Sequence, residues 1–337
     1  MTNDPVERQP SVSLSLGPVA PESQSRSGVA LGAALAFALA AVALWATNAM
    51  VGRTLLALYP VSQVQFLQFC GAALVFALIR LTSISPSPLA GSHPVLRTPQ
   101  GEKGKSALAA YAVGFIGLVG TMVLQYIGFA SMPVIEANLV AYTWPLMTAA
   151  AVILLGRPRR PLLLGLAAVL GFVGVALVIS GGRTQTWFEG GSLVGYLAAF
   201  GSALCMAFYS LTVGRLAVAP ERLLLPSALI GVGLTFAWCL HDGVVRPAGA
   251  HLLLGLYLGA GPMGLGYYFW SRAAKLDHSG RIAVVAYLTP IASTFLLTLS
   301  GESLSTTAVA GTVLVIGSCL AVGIEGTETR DETQNGR

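Results

Sequence analysis

Apolar runs of about 20 residues, the length needed to cross the hydrocarbon core of a bilayer, recur along this chain. Ten of them cover 28–50, 60–80, 107–128, 133–155, 161–181, 191–214, 223–241, 250–271, 280–300 and 305–324, and each predicts a membrane-spanning helix. Pro226 sits inside the seventh run, and glycines and Pro262 interrupt the eighth, so these two patterns are the weakest. Residues 1–27 are polar, hold several Ser and Pro and carry both charge signs, which predicts a disordered tail and not a cleaved signal peptide. Residues 325–337 are mostly polar and predict a short loose tail.

Composition agrees with this pattern. The chain is 55% hydrophobic and 10% charged, where soluble domains hold about 25% charged residues. Lipid must therefore be its solvent. The net charge of +5 matters less than its distribution. With the N-terminus inside and ten crossings, 16 of the 19 Lys and Arg fall on inner segments, and only Arg53, Arg183 and Arg246 fall outside. This is the bias that orients membrane helices. It predicts a multi-pass protein of the inner (plasma) membrane with both termini cytoplasmic. The basic balance thus reports topology and not nucleic-acid binding.

The runs repeat. "AYTWP" (141–145) overlays "AYLTP" (286–290) at an offset of 145, so Tyr142 meets Tyr287 and Pro145 meets Pro290. Gly165 and Gly171 then match Gly311 and Gly317, and Gly117-x-x-Gly120-Thr-Met matches Gly259-x-Gly261-Pro-Met. Near the start of each half "WATN" (45–48) faces "MAFY" (206–209) at an offset of 161; the long loop 81–106 of the first half accounts for the difference. The chain thus reads as two five-span halves, 28–181 and 191–324. Five is odd, so the second copy enters the membrane inverted, an arrangement associated with alternating access about a midplane site.

Two five-span copies, a Y-x-x-P in the fourth span of each and glycine-spaced fifth spans resemble the drug/metabolite transporter superfamily, EamA type, over residues 28–324. The string "EANLVAYTWPLMTAAAVILLG" from Glu136 is similar to the group that includes aromatic amino-acid exporters. Two positions depart from the pattern: Gln68 stands where the second span commonly has Arg, and Met206 where the sixth commonly has Trp. The resemblance implies an all-α bundle of ten helices in two inverted five-helix repeats, with a central cavity, that moves small metabolites outward.

The polar residues within the spans point to that cavity independently. Asn138, Tyr142 and Pro145 fall on one helical face at i, i+4 and i+7, and the repeat adds Tyr287 and Pro290. An Asn facing hydrocarbon is costly, so the face should look inward, onto a cavity or onto a neighbouring helix that it glues in place. Each proline also frees the carbonyl four residues back, those of Ala141 and Ala286, for another partner. Trp45 and Asn48 form a second stripe with Gly52, and Gln125 a third with Thr121 and Gly128. Tyr209 closes the sixth-span motif. Tyr267 and Tyr268 follow a Gly-rich stretch, and adjacent residues lie about 100° apart, so only one of them can face the cavity. Glu136 and Arg281 sit near opposite ends of their spans, as gates, as charge partners of a substrate or as interfacial charges that snorkel.

Other chemistries lack their residues. There is no HExxH or GxSxG, and "GKS" at 104–106 has Pro99 where a phosphate loop needs Gly, so neither ATP use nor hydrolysis is expected. Cys70, Cys205, Cys239 and Cys319 form no CxxC, and no metal or other cofactor is expected. The expected partners are a small solute and membrane lipids. The reading is a secondary transporter, not an enzyme, exporting a small metabolite such as an amino acid, aromatic ones included. Its rivals are an intramembrane enzyme on a lipid-linked substrate, which would need a buried catalytic cluster, and a membrane sensor, which would need a soluble output domain.

Overall fold

The computed structural model describes residues 22–83, 108–156, 160–180, 192–277, 282–299 and 306–335, and among these the chain is helical with no strand. The helices are α1 (Glu22–Trp45), α2 (Asn48–Leu56), α3 (Val61–Ser83), α4 (108–114), α5 (Thr121–Ser131), α6 (Val134–Ala141), α7 (Trp144–Gly156), α8 (Pro161–Ser180), α9 (Leu193–Val213), α10 (Pro220–Asp242), α11 (Gly249–Leu258), α12 (Gly266–Leu276), α13 (Ile282–Val285), α14 (Leu288–Leu299) and α15 (Thr306–Asn335). Eight stretches are long and apolar enough to cross a membrane, running from Leu31–Leu56 to Gly249–Leu276, and they coincide with the first eight apolar runs. Ile282–Leu296 and Thr306–Ala321 are shorter apolar helices at the positions of the last two. Large leucines such as Leu74, Leu78, Leu154, Leu162 and Leu197 point outward and are exposed. Such an apolar exterior is stable in lipid and not in water. The protein is an all-helical, multi-pass membrane protein.

Both tails differ in part from the sequence expectation. Helix α1 already starts at Glu22, and α15 runs on to Asn335. Once a long apolar helix is nucleated, adding residues such as Glu, Gln and Arg at its end costs little.

Several spans are broken or widened inside the bundle. The α6–α7 span breaks at Tyr142 and Thr143, where Thr143 N donates to Val140 O at 3.1 Å, a bond of i to i−3 type. The α13–α14 segment breaks at Ala286 and Tyr287 in the same way, with Tyr287 N donating to Val284 O at 3.1 Å. Each break precedes a proline, whose missing N–H and bulky ring prevent a regular turn there. The carbonyl of Ala286, expected to be free, instead accepts the amide of Thr289 at 3.0 Å. The tighter turn has recovered it.

Widened π-type turns join α4 to α5 (Phe115–Gly120) and α11 to α12 (Gly259–Leu265). The second lies hard against α3. A Cβ on Gly259 would stand 2.1 Å from Gln68 O, and one on Gly71 2.3 Å from Leu256 O. Only glycine permits this approach of two backbones.

The main helix pairs are α8 with α15, α3 with α10, α5 with α9 and α1 with α12. The glycines expected to let fifth-span helices close up do so only in part. Gly311 meets the Gly174 carbonyl, whereas Gly317 faces open space.

Candidate functional site: a central cavity with an aromatic floor

A cavity of about 630 Å³ lies among α1, α2, α5–α9, α12, α14 and α15. That volume is usual for small-molecule sites, which run to roughly 300–1,000 Å³. Exposed Arg53, Thr54 and Ala57 mark its wide end, with Val134 at the start of α6 and Ser180 at the end of α8. Buried Trp144, Met206 and Tyr267 mark its floor.

The floor is a packed set of rings. Trp45 lies 5.3 Å from Trp270 and 6.0 Å from Tyr267, centre to centre. Trp144 meets Trp270 edge-on at 5.3 Å. These are favourable aromatic distances. Trp45 is anchored by its indole N–H, which donates to Pro262 O at 3.0 Å. It can come this close because residue 266 is glycine: a Cβ there would stand 2.6 Å from Trp45 Nε1. Trp270 donates to Ser210 Oγ at 3.0 Å. Beneath the floor lies a second, much smaller pocket of about 30 Å³, lined in part by Thr148, Ser210, Gly214, Arg215 and Trp270. Trp270 therefore touches the floor of the large cavity from one side and lines the small pocket on the other.

The cavity wall carries uncommitted polar groups. The amides of Gln125 and Asn138 make no hydrogen bond among the described residues and are half-buried. The hydroxyls of Thr121, Tyr267 and Thr289 are fully buried with no well-formed hydrogen bond, Tyr267 lying beside Thr121 and Thr289 beside Tyr142. The open amides of Gln125 and Asn138 favour a polar ligand or water in the cavity. Asn48, in contrast, is held from behind. Its Oδ1 accepts from Tyr126 OH at 3.1 Å, and Gln68 Nε2 donates to Tyr126 OH at 3.0 Å. Gln65 in turn donates to Gln68 Oε1. Gln65, Gln68 and Tyr126 are wholly buried, so this network fixes Asn48 at the cavity edge from α3 and α5.

Of the residues expected at the site, Trp45, Asn48, Gln125, Asn138, Tyr142, Tyr267 and Pro290 line the cavity. Others lie elsewhere. Tyr287 is wholly buried against α8, its ring filling the space that a Cβ on Gly171 would need. Pro145 is buried at the start of α7 and does not line the cavity. Tyr209 lies behind Tyr267, bonded to Ser271 Oγ at 2.6 Å. Tyr268 points away, under the Arg272 guanidinium, as the turn of about 100° from Tyr267 requires. Glu136 is buried off the cavity and accepts the Tyr196 hydroxyl from α9. Arg281 lies outside the described residues.

The split between Tyr142 and Tyr287 has a simple cause. Helix α7 restarts at Trp144, one residue before its proline, whereas α14 restarts at Leu288, two before its proline. One residue of register turns flanking side chains by about 100°. Sequence reasoning missed Arg53, Trp144 and Thr289 as lining residues. Arg53 was legible only as a charge at a span end, and Trp144 lay inside the quoted Y-x-x-P motif.

Comparisons with known proteins agree on the fold and the family. The "Aromatic amino acid exporter YddG" of Ancylobacter novellus is 30% identical over 208 residues, which is 60% of this chain and 72% of that relative. A crystal structure of a protein 26% identical in sequence superposes with a TM-score of 0.72, covering 87% of this chain and 96% of the other. The EamA-like transporter family matches residues 32–180 and 193–324, most of the length. With that coverage, the chain belongs to the EamA-like transporter family.

Proposed function

We propose that this protein is a secondary transporter of the inner membrane that exports an amino acid with an aromatic or large apolar side chain, by alternating access across ten spans in two inverted repeats. The repeats are 28–181 and 191–324, flanked by cytoplasmic tails. The observation that carries the reading is the cavity itself: a chamber of amino-acid size, wide at one end and closed by tryptophans at the other. Its rings suit an aromatic side chain, and its open amides suit the polar end of an amino acid. The family assignment and the relative named as an aromatic amino-acid exporter favour the same substrate class. The asymmetry of Lys and Arg supports an orientation with the wide end outside.

Two features support inverted repeats with alternating access. Number the predicted spans one to ten. The main pairs are then five with ten, two with seven, three with six and one with eight. Exchanging the halves returns the same set.

The two pockets correspond as well. Shifting Ala49, Met50, Arg53 and Thr54 of the cavity by 161 gives Ser210, Leu211, Gly214 and Arg215 of the small pocket. Shifting Asn138 by 145 gives Ala283, which also lines it. The small pocket thus stands where the mirror-image chamber would open when the large one closes. Trp270 is the partition between them.

Counterflow tests this function. Proteoliposomes loaded with unlabelled L-phenylalanine should accumulate external labelled L-phenylalanine transiently, and protein-free vesicles should not. Folded protein that exchanges no aromatic or branched amino acid would refute the assignment.

A further inference from the structure

Among the described residues, the cavity lining carries one formal charge, Arg53, and no carboxylate. Arg53 lies at the end of α2, eight residues beyond Trp45, so it and the aromatic floor stand at opposite ends of the chamber, on the order of 12 Å apart along the helix axis. Its guanidinium makes no ion pair or hydrogen bond with any described residue, although its backbone carbonyl accepts the amide of Ala57. The small pocket differs: it is lined both by Arg215, in the turn after α9, and by the carboxylate of Asp277.

We propose that Arg53 is the carboxylate-binding residue of the large cavity. The proposal rests on the transport reading above and narrows its substrates to compounds that carry a carboxylate, as zwitterions or anions, with the apolar group on the tryptophan floor. A planar guanidinium matches a carboxylate with two parallel hydrogen bonds. In a cleft with apolar walls and no competing anion, its field is focused on the entering solute. Two other roles compete. Arg53 could be an interfacial charge that only reaches for headgroups. Alternatively, the aromatic rings could select cations by their faces.

Two probes separate these roles: 3-phenylpropionate keeps the ring and the carboxylate, and phenethylamine keeps the ring and the ammonium. Binding of each to the purified protein in detergent is read from ligand-induced stabilisation. Wild type should bind 3-phenylpropionate and discriminate against phenethylamine. Arg53→Gln should weaken 3-phenylpropionate by roughly tenfold to a hundredfold, the range of a charge-assisted hydrogen bond. Arg53→Lys should restore part of it.

Equal binding of the two probes, no binding of either, or unchanged 3-phenylpropionate binding in a folded Arg53→Gln protein would overturn the proposal. If 3-phenylpropionate binds through Arg53 but no vesicle moves L-phenylalanine, the transport reading fails and the carboxylate site stands.

Discussion

The hydroxyl of Tyr126 offers a quantitative test of the network behind the cavity. A Cβ on Gly52 would stand 2.8 Å from that hydroxyl and 3.3 Å from the ring carbon bearing it. Gly52→Ala therefore sets two effects against each other. Alanine in a helix interior gains about 0.8–1 kcal/mol over glycine. Overpacking costs about 1–3 kcal/mol. If the ring yields, the hydroxyl also loses its bonds to Gln68 and Asn48. Polar side-chain interactions inside membranes average about 0.6 kcal/mol, less than in soluble cores, because the unfolded chain in lipid finds other partners.

The net expectation for Gly52→Ala is a loss of about 1–3 kcal/mol, clash and hydrogen bonds outweighing propensity. In a Tyr126→Phe background the nearest atom is the ring carbon at 3.3 Å, which a shift of a few tenths of an ångström accommodates. There the same substitution should be neutral or should stabilise by up to about 1 kcal/mol. The double-mutant cycle should thus show a coupling of at least about 1 kcal/mol. Chemical unfolding of the four proteins in mixed micelles measures it. Equal effects of Gly52→Ala in both backgrounds would show that the Tyr126 hydroxyl does not stand beside residue 52, and the network's geometry would be wrong.

Three further outcomes follow from the same geometry. In a background with the four native cysteines replaced by alanine, a cysteine at 142 should react with a small polar thiol reagent and be protected by substrate, whereas one at 287 should stay inert; the reverse pattern would misplace the two tyrosines. Trp270→Ala should remove the partition and let vesicles leak labelled L-phenylalanine through the protein, while Trp270→Phe keeps them tighter; an alanine variant as tight as wild type would relieve Trp270 of that role. A cysteine near Lys103 should be labelled by an impermeant reagent only after the cells are opened, and labelling of intact cells would invert the orientation.

Much of this arrangement was legible in the chain. The apolar runs gave the helices, and the Y-x-x-P pairs marked the positions of the two breaks. Trp45, Asn48, Gln125 and Asn138 could be assigned to an interior because polar groups at membrane depth avoid lipid. Gln68 stood out as a departure from the family pattern, but its role needed Asn48, Tyr126 and Gln65 brought together from three spans. Arg53 read as a charge at the end of a span. Whether that end meets headgroups or a chamber depends on where α6, α8 and α14 stand.

The limit has a physical origin. Within a helix each backbone hydrogen bond is local, and lipid supplies no alternative partner, so hydropathy alone determines that a segment is helical and crosses the bilayer. Rotation about the helix axis is different. Lipid is as apolar as leucine and scarcely favours one apolar face over another, so contacts between distant helices set it. That is why the sequence could supply Tyr142 and Tyr287 as equals, and only the tertiary structure, through one residue of register at each break, sent the first to the cavity and the second against Gly171.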